Sequence, residues 1–124
     1  MNDRDDRRYR VLLVEDEAMV AMLMEDLLSD LDCEVTATAA RVDDALKAAK
    51  SGSFDFAILD VNLNGNPSYP VADILRQRNI PIIFATGYGT KSLDALYADT
   101  PTLQKPFRLA DLEAAVSRVL STGA

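Results

Sequence analysis

Three stretches of the chain are apolar without a helical period, and each stops at polar residues. Val11 to Val14 runs into Glu15-Asp16-Glu17. Phe54, Phe56, Ala57, Ile58 and Leu59 lead to Asp60 and then to the turn residues Asn62, Asn64 and Gly65. Residues 80–85 (IPIIFA) end at Thr86-Gly87-Tyr88-Gly89. Such short continuous runs predict strands buried on both faces. Residues 33–38 (CEVTAT) are β-branched and partly alternating, which predicts a strand near a sheet edge. Thr102, Leu103 and Gln104 make a brief last strand before Lys105-Pro106-Phe107.

Helical spacing fills the intervals. Across residues 18–31, Val20, Leu23, Met24, Leu27, Leu28 and Leu31 recur on one face, with Glu25, Asp26 and Asp30 on the other. Met19, Met22 and Met24 read as core packing rather than as a soft metal site. A second helix is predicted over 42–50, with Val42, Ala45, Leu46 and Ala49 inward and Gly52 placed to end it. The loop 62–70 holds two prolines and a glycine, and a third helix follows over 71–78. Residues 90–97 are barely two turns, so a helix there is short and marginal. Leu109, Leu112, Val116, Val119 and Leu120 define a well-patterned final helix.

Strand and helix alternate five times, which implies a parallel sheet covered on both faces. In such sheets the binding crevice lies at the carboxyl ends of the strands. That rule gathers Glu15, Asp16, Asp60, Thr86 and Lys105.

The chain has 124 residues, 48% of them apolar, the size of one domain with one core. Residues 1–8 are charged and lack an apolar face, so they read as a disordered leader, and 9–122 as the single domain. No output domain is expected. Lys and Arg total 13 against 20 Asp and Glu, a formal charge of -7. That balance argues against a nucleic-acid partner and suits a cation. No apolar run is long enough to span a membrane, and residues 1–10 (MNDRDDRRYR) lack the apolar core of a signal peptide. The single cysteine, Cys33, excludes an internal disulfide and points to a reducing compartment, the cytoplasm. Nothing basic adjoins it to activate the thiol. Histidine is absent, which removes His-based acid-base catalysis, His metal ligation and any phosphohistidine on this chain.

Three carboxylates at one crevice repel unless a cation sits among them. Mg²⁺ suits such oxygen ligands. Asp60, at the tip of a buried strand, is placed to attack phosphorus. Lys105 can contact a phosphoryl oxygen, and the Thr86 hydroxyl can donate to another. Glu15, Asp16 and Asp60 balance Lys105 and one Mg²⁺ in formal charge.

VLLVEDE, FAILDVNL, IIFATGYG and LQKPF resemble the blocks of CheY-like response-regulator receiver domains, over nearly the whole chain. FATGYG is further similar to the FAT GUY group of stand-alone receivers in alphaproteobacterial signalling. The resemblance implies a flavodoxin-like (βα)5 doubly wound sandwich with strand order 2-1-3-4-5. It implies Asp60 as phosphoacceptor, and Glu15, Asp16, Asp60 and the Asn62 backbone carbonyl as Mg²⁺ ligands. Thr86 is then the switch hydroxyl and Lys105 the phosphate-binding lysine, with a cis peptide at Lys105-Pro106. The implied partners are a sensor histidine kinase or histidine phosphotransfer protein and a downstream protein. Receivers usually carry an aromatic residue three positions before the lysine; here it is Thr102, so the switch candidates are Thr86, Tyr88 and Thr102. A haloacid-dehalogenase-type phosphatase would put a second acid two residues after the nucleophile, where this chain has Asn62. An unphosphorylated pseudo-receiver scaffold would not need the full set of five side chains.

Overall fold

The computed structural model describes residues 8–87, 97 and 99–122. Most of the expected leader, Tyr88, and the expected helix over 90–97 apart from Tyr97 lie outside the described residues. Five parallel strands form the main sheet: β1 (Tyr9–Val14), β2 (Cys33–Ala39), β3 (Phe56–Asp60), β6 (Ile82–Thr86) and β7 (Thr102–Gln104). Their order is β2-β1-β3-β6-β7, the 2-1-3-4-5 arrangement of a flavodoxin-like sandwich. α1 (Ala18–Ser29) and α4 (Leu109–Thr122) cover one face, and α2 (Val42–Ser51) and α3 (Tyr69–Gln77) the other.

The apolar runs are continuous because both faces are covered. Val11, Leu13, Phe56, Ile58, Ile83 and Ala85 enter the layer under α1 and α4. Leu12, Val14, Ala57, Leu59, Ile82 and Phe84 enter the layer under α2 and α3. Successive side chains point to opposite faces, so every position of these central strands needs an apolar residue.

β2, at the sheet edge, alternates only partly for a definable reason. Val11 pairs with Val35 but Leu12 pairs with Ala37, leaving Thr36 as an extra residue in a bulge. The bulge switches parity: Cys33 and Val35 pack on the α1/α4 side, whereas Ala37 and Ala39 pack on the α2/α3 side. A bulge also twists an edge strand away from further pairing.

The strict alternation of strand and helix does not hold between β3 and α3. β4 (Asn62–Leu63) and β5 (Asn66–Pro67) form a small antiparallel hairpin there. Its two-residue loop is Asn64-Gly65, with φ of 52° and 89°. Positive φ at both loop residues is what a type I′ turn requires, and Asn-Gly is its preferred sequence. α3 then begins at Tyr69 rather than at residue 71, with Pro70 in the first turn, where its missing N–H leaves no helical bond unmade.

Two packing expectations are corrected. Met19 and Met22 are 84% and 65% exposed and Leu23 is 49% exposed, so of the three methionines only Met24 is core. Leu109 is likewise exposed, while Leu112, Val116 and Val119 are buried. Gly52 does end α2, but at φ -75° it is not a left-handed cap. A Cβ there would fall 2.2 Å from the Phe54 ring, so its small size admits the ring.

Thr36 Oγ1 is buried with no hydrogen-bond partner among the described residues. Thr36→Val keeps the β-branched shape and removes the unmet hydroxyl, so it should stabilise the fold by about 1 kcal/mol. Urea unfolding of the two proteins checks this; a variant less stable than wild type would show that the hydroxyl is satisfied.

Candidate functional site

All strands of the main sheet are parallel, so their carboxyl ends share one edge. Glu15 and Asp16 follow β1, Asp60 ends β3, Thr86 ends β6 and Lys105 follows β7. The Glu15 N–H donates to Ala39 O at 3.0 Å, and the Lys105 N–H donates to Thr86 O at 2.8 Å. These bonds carry the strand ladders up to the site residues. The peptide between Lys105 and Pro106 is cis.

The Lys105 ammonium sits between two acids, 2.9 Å from Glu15 Oε1 and 3.0 Å from Asp60 Oδ2. Each carboxylate is also oriented by a backbone donor. Glu17 N–H donates to Glu15 Oε2 at 3.1 Å, Asn62 N–H to Asp60 Oδ1 at 3.3 Å, and Asn64 N–H to Asp16 Oδ2 at 3.0 Å. The last of these explains the hairpin: the β4–β5 turn brings Asn64 onto Asp16. The Asn62 side chain braces that turn by accepting the Gly65 N–H at 2.7 Å.

Carboxylate oxygens of Glu15, Asp16 and Asp60 lie within 4.8 Å of one another. Two oxygens on one Mg²⁺ at about 2.1 Å stand roughly 3 to 4 Å apart, so a hard divalent ion fits after a small contraction. The donor set is all oxygen, as such an ion prefers, and the lysine does not fully offset the acids around it.

That crowding has an electrostatic consequence. Burial drives the Glu15 carboxyl up from 4.5 to about 7, against the pull of Lys105 and with added repulsion from Asp60. Burial alone would lower Lys105, but its hydrogen bonds to Glu15 and Asp60 outweigh this and raise it. The ammonium therefore stays charged, and Glu15 is the acid pushed towards neutrality.

Thr86 is buried and shares the α2/α3 side of the sheet with Phe84, two residues before it. A cavity of about 200 Å³ borders Asp60 there, lined by Val61, Asn62, Pro67, Tyr69, Thr86 and Gly87. Asp60 is thus approached by Lys105 at its acidic side and by Thr86 across this cavity. Thr102 does not join them: it pairs with Phe84 on β7 and donates its hydroxyl to Thr100 O at 3.0 Å.

Two neighbours escaped the sequence reading. Glu17 Oε1 lies 3.8 Å from Lys105 Nζ; its place in the acidic run Glu15-Asp16-Glu17 was the available signal. Tyr69 lines the cavity, and a tyrosine in a proline-rich loop carries no signal for that. Cys33 is buried and its thiol is pushed up to about 11, by burial and then by Asp32 and Asp55, consistent with an inert side chain. Among the described residues, no helix is long and apolar enough to cross a membrane.

The family model for the response regulator receiver domain matches residues 11–117. Among solved structures, SdrG from Sphingomonas melonis Fr1 is 43% identical with a TM-score of 0.82, over 91% of this chain and 97% of that one. The receiver domain of a sensor histidine kinase from Pseudomonas aeruginosa PAO1, whose crystal structure has a magnesium ion coordinated in the active site cleft, is 27% identical. It superposes with a TM-score of 0.78 over 92% of this chain and 98% of that one. Phyllosphere-induced regulator PhyR of Methylorubrum extorquens is 31% identical over 119 residues, which cover 93% of this chain and 45% of that protein. The chain spans about half the length of the curated relatives it matches.

Without divalent ions, the raised Glu15 pKa means that between pH 4.5 and about 7 the folded chain holds a proton that the unfolded chain has released. Glu15 therefore contributes stability that is complete below that window and is lost as pH rises through it, by roughly 3 kcal/mol. Urea unfolding at a series of pH values should show this decline in wild type relative to Glu15→Gln. Parallel profiles for the two proteins would mean that Glu15 ionises normally.

Proposed function

Since the chain belongs to the family of response-regulator receiver domains, we propose that it is a phosphorylation switch whose phosphoacceptor is Asp60. The observation that carries this reading is the Lys105 ammonium held between Glu15 and Asp60, at the edge where the three carboxylates converge. The chain has no histidine, so the phosphohistidine belongs to a partner, a sensor histidine kinase or a histidine phosphotransfer protein.

In the transfer, an Asp60 oxygen bonds to phosphorus as the donor's P–N bond breaks and its electron pair returns to the imidazole. Lys105, already hydrogen-bonded to Asp60 Oδ2, moves with little displacement onto a phosphoryl oxygen. Thr86 donates its hydroxyl to another from the opposite side. Glu15, Asp16, Asp60 and the backbone carbonyl of Asn62 would hold Mg²⁺, which when bound neutralises charge on the phosphoryl oxygens. The chain turns over only its own aspartyl phosphate and no free substrate. The cytoplasm is the compartment this reading implies.

The exposed side chains of Met19, Met22 and Leu23 form the docking face for the phosphodonor. They lie on α1, which starts directly after the acidic run. Flexible, polarisable methionines suit a contact that must form and release. Output is either contact with a downstream protein or drainage of phosphate within a relay.

Incubation with acetyl phosphate and Mg²⁺ should add one phosphoryl group to wild type by intact-mass measurement and none to Asp60→Ala. An unmodified wild type would favour a scaffold that works unphosphorylated. Placing a charge on the docking face by Met22→Asp should slow transfer from a phosphohistidine protein by about tenfold. Loading from acetyl phosphate, which needs no such face, should hardly change; equal slowing from both donors would relocate the contact.

A further inference from the structure

Tyr69, Asp73 and Arg76 recur at i, i+4 and i+7 on α3 and so share one helix face. All three touch one side chain, Tyr97. The Tyr69 ring stacks on the Tyr97 ring with centroids 5.5 Å apart and planes 5° from parallel. The Tyr97 hydroxyl donates to Asp73 Oδ1, and the Arg76 guanidinium lies 4.6 Å from the ring centroid. Tyr69 and Tyr97 also both meet Phe84 edge-on, at 5.9 and 5.4 Å. Tyr97 is fully buried and is not among the described residues lining the cavity, so the cluster holds the Tyr69 ring from within the core.

Among the described residues, that ring is the largest side chain lining the cavity beside Asp60. The other apolar walls, Val61 and Pro67, belong to the end of β3 and to the hairpin. At roughly 30 Å³ per molecule, the cavity of about 200 Å³ has room for several waters besides a phosphoryl group. Its extent at the Thr86 side therefore depends on where the tyrosine ring stands.

We propose that Tyr69 is a positioning residue for the aspartyl phosphate, its ring limiting how water reaches phosphorus from the Thr86 side and so setting how long the modification lasts. The inference rests on Asp60 being the phosphoacceptor. In the step concerned, a water oxygen bonds to phosphorus and the P–O bond to Asp60 breaks with its electron pair remaining on the carboxylate. One water proton stays on the released phosphate and the other passes to solvent. Water must arrive in line with the breaking bond. Tyr97, Asp73 and Arg76 act on this step only by holding Tyr69 in place.

The test loads wild type, Tyr69→Phe, Tyr69→Leu and Tyr69→Ala with acetyl phosphate and Mg²⁺, removes the donor, and follows the remaining aspartyl phosphate by intact mass. Mg²⁺ affinity is measured alongside, because Tyr69 is outside the carboxylate cluster and a correctly folded variant keeps it. Tyr69→Phe retains the ring and should decay within about twofold of wild type, whereas Tyr69→Ala should decay about five- to tenfold faster at unchanged Mg²⁺ affinity. If Tyr69→Ala loses Mg²⁺ binding through misfolding, Tyr69→Leu decides by the same criterion. Decay as slow as wild type, or slower, in a variant that binds Mg²⁺ normally overturns the inference while leaving Asp60 as phosphoacceptor. A wild type that cannot be loaded at all overturns that underlying reading, and this inference with it.

Discussion

An ammonium shared between two buried acids is the contact around which this molecule is arranged. Lys105 comes from the end of the last described strand, and Glu15 and Asp60 from the ends of two others. Ionised carboxylates this close together and this far from water are costly. They persist because one strong donor lies between them and because the backbone N–H groups of Glu17 and Asn62 hold their remaining oxygens, while that of Asn64 holds neighbouring Asp16. Even so, burial pushes the Glu15 carboxyl up, and the acids outnumber the lysine, which leaves the cluster open to a divalent ion. An excess of acid of this kind favours a cation at the site.

Parallel topology explains why such a cluster forms at all. With every strand of the main sheet running the same way, side chains that follow the strands collect along one edge. The alternation of side chains then divides the site. Glu15 and Asp60 fall on the α1/α4 side with Leu13 and Ile58, and Thr86 falls on the α2/α3 side with Phe84. Charge is handled on one side of the sheet, while the other carries a hydroxyl backed by packed aromatic rings. The small hairpin joins the two, since Asn64 reaches Asp16 and Pro67 lines the cavity beside Thr86.

The curated relatives extend well beyond the length matched here, and what they share with this chain is the receiver domain. Thr102 stands where the family resemblance implies an aromatic ring, and among the described residues the rings packed near the site are Tyr69 of α3, Phe84 of β6 and Tyr97. The aromatic bulk thus sits beside the Thr86 cavity rather than on the last strand.

Much of this was legible in the residues themselves. Short runs such as Val11 to Val14, bounded by polar residues, fit strands covered on both faces, and a charged or hydroxyl residue directly after each run marks its carboxyl end. That local grammar determined the parallel sheet, its crevice and the five side chains in it. Asn64-Gly65 also announced its turn, though not the two-residue strands on either side, which are too short to show a period. The tertiary structure decided the rest, because a one-dimensional pattern records which residues avoid water but not which neighbours cover them. Met19, Met22 and Leu23 are as apolar as buried Met24 and Leu28, yet they stand on the opposite side of α1, away from the sheet. Thr36 shifts the parity of β2 through a pairing made with another strand. Tyr69 meets Tyr97 and the Asp60 cavity only because α3 folds back across β6, a contact between residues distant in the chain that no local pattern encodes.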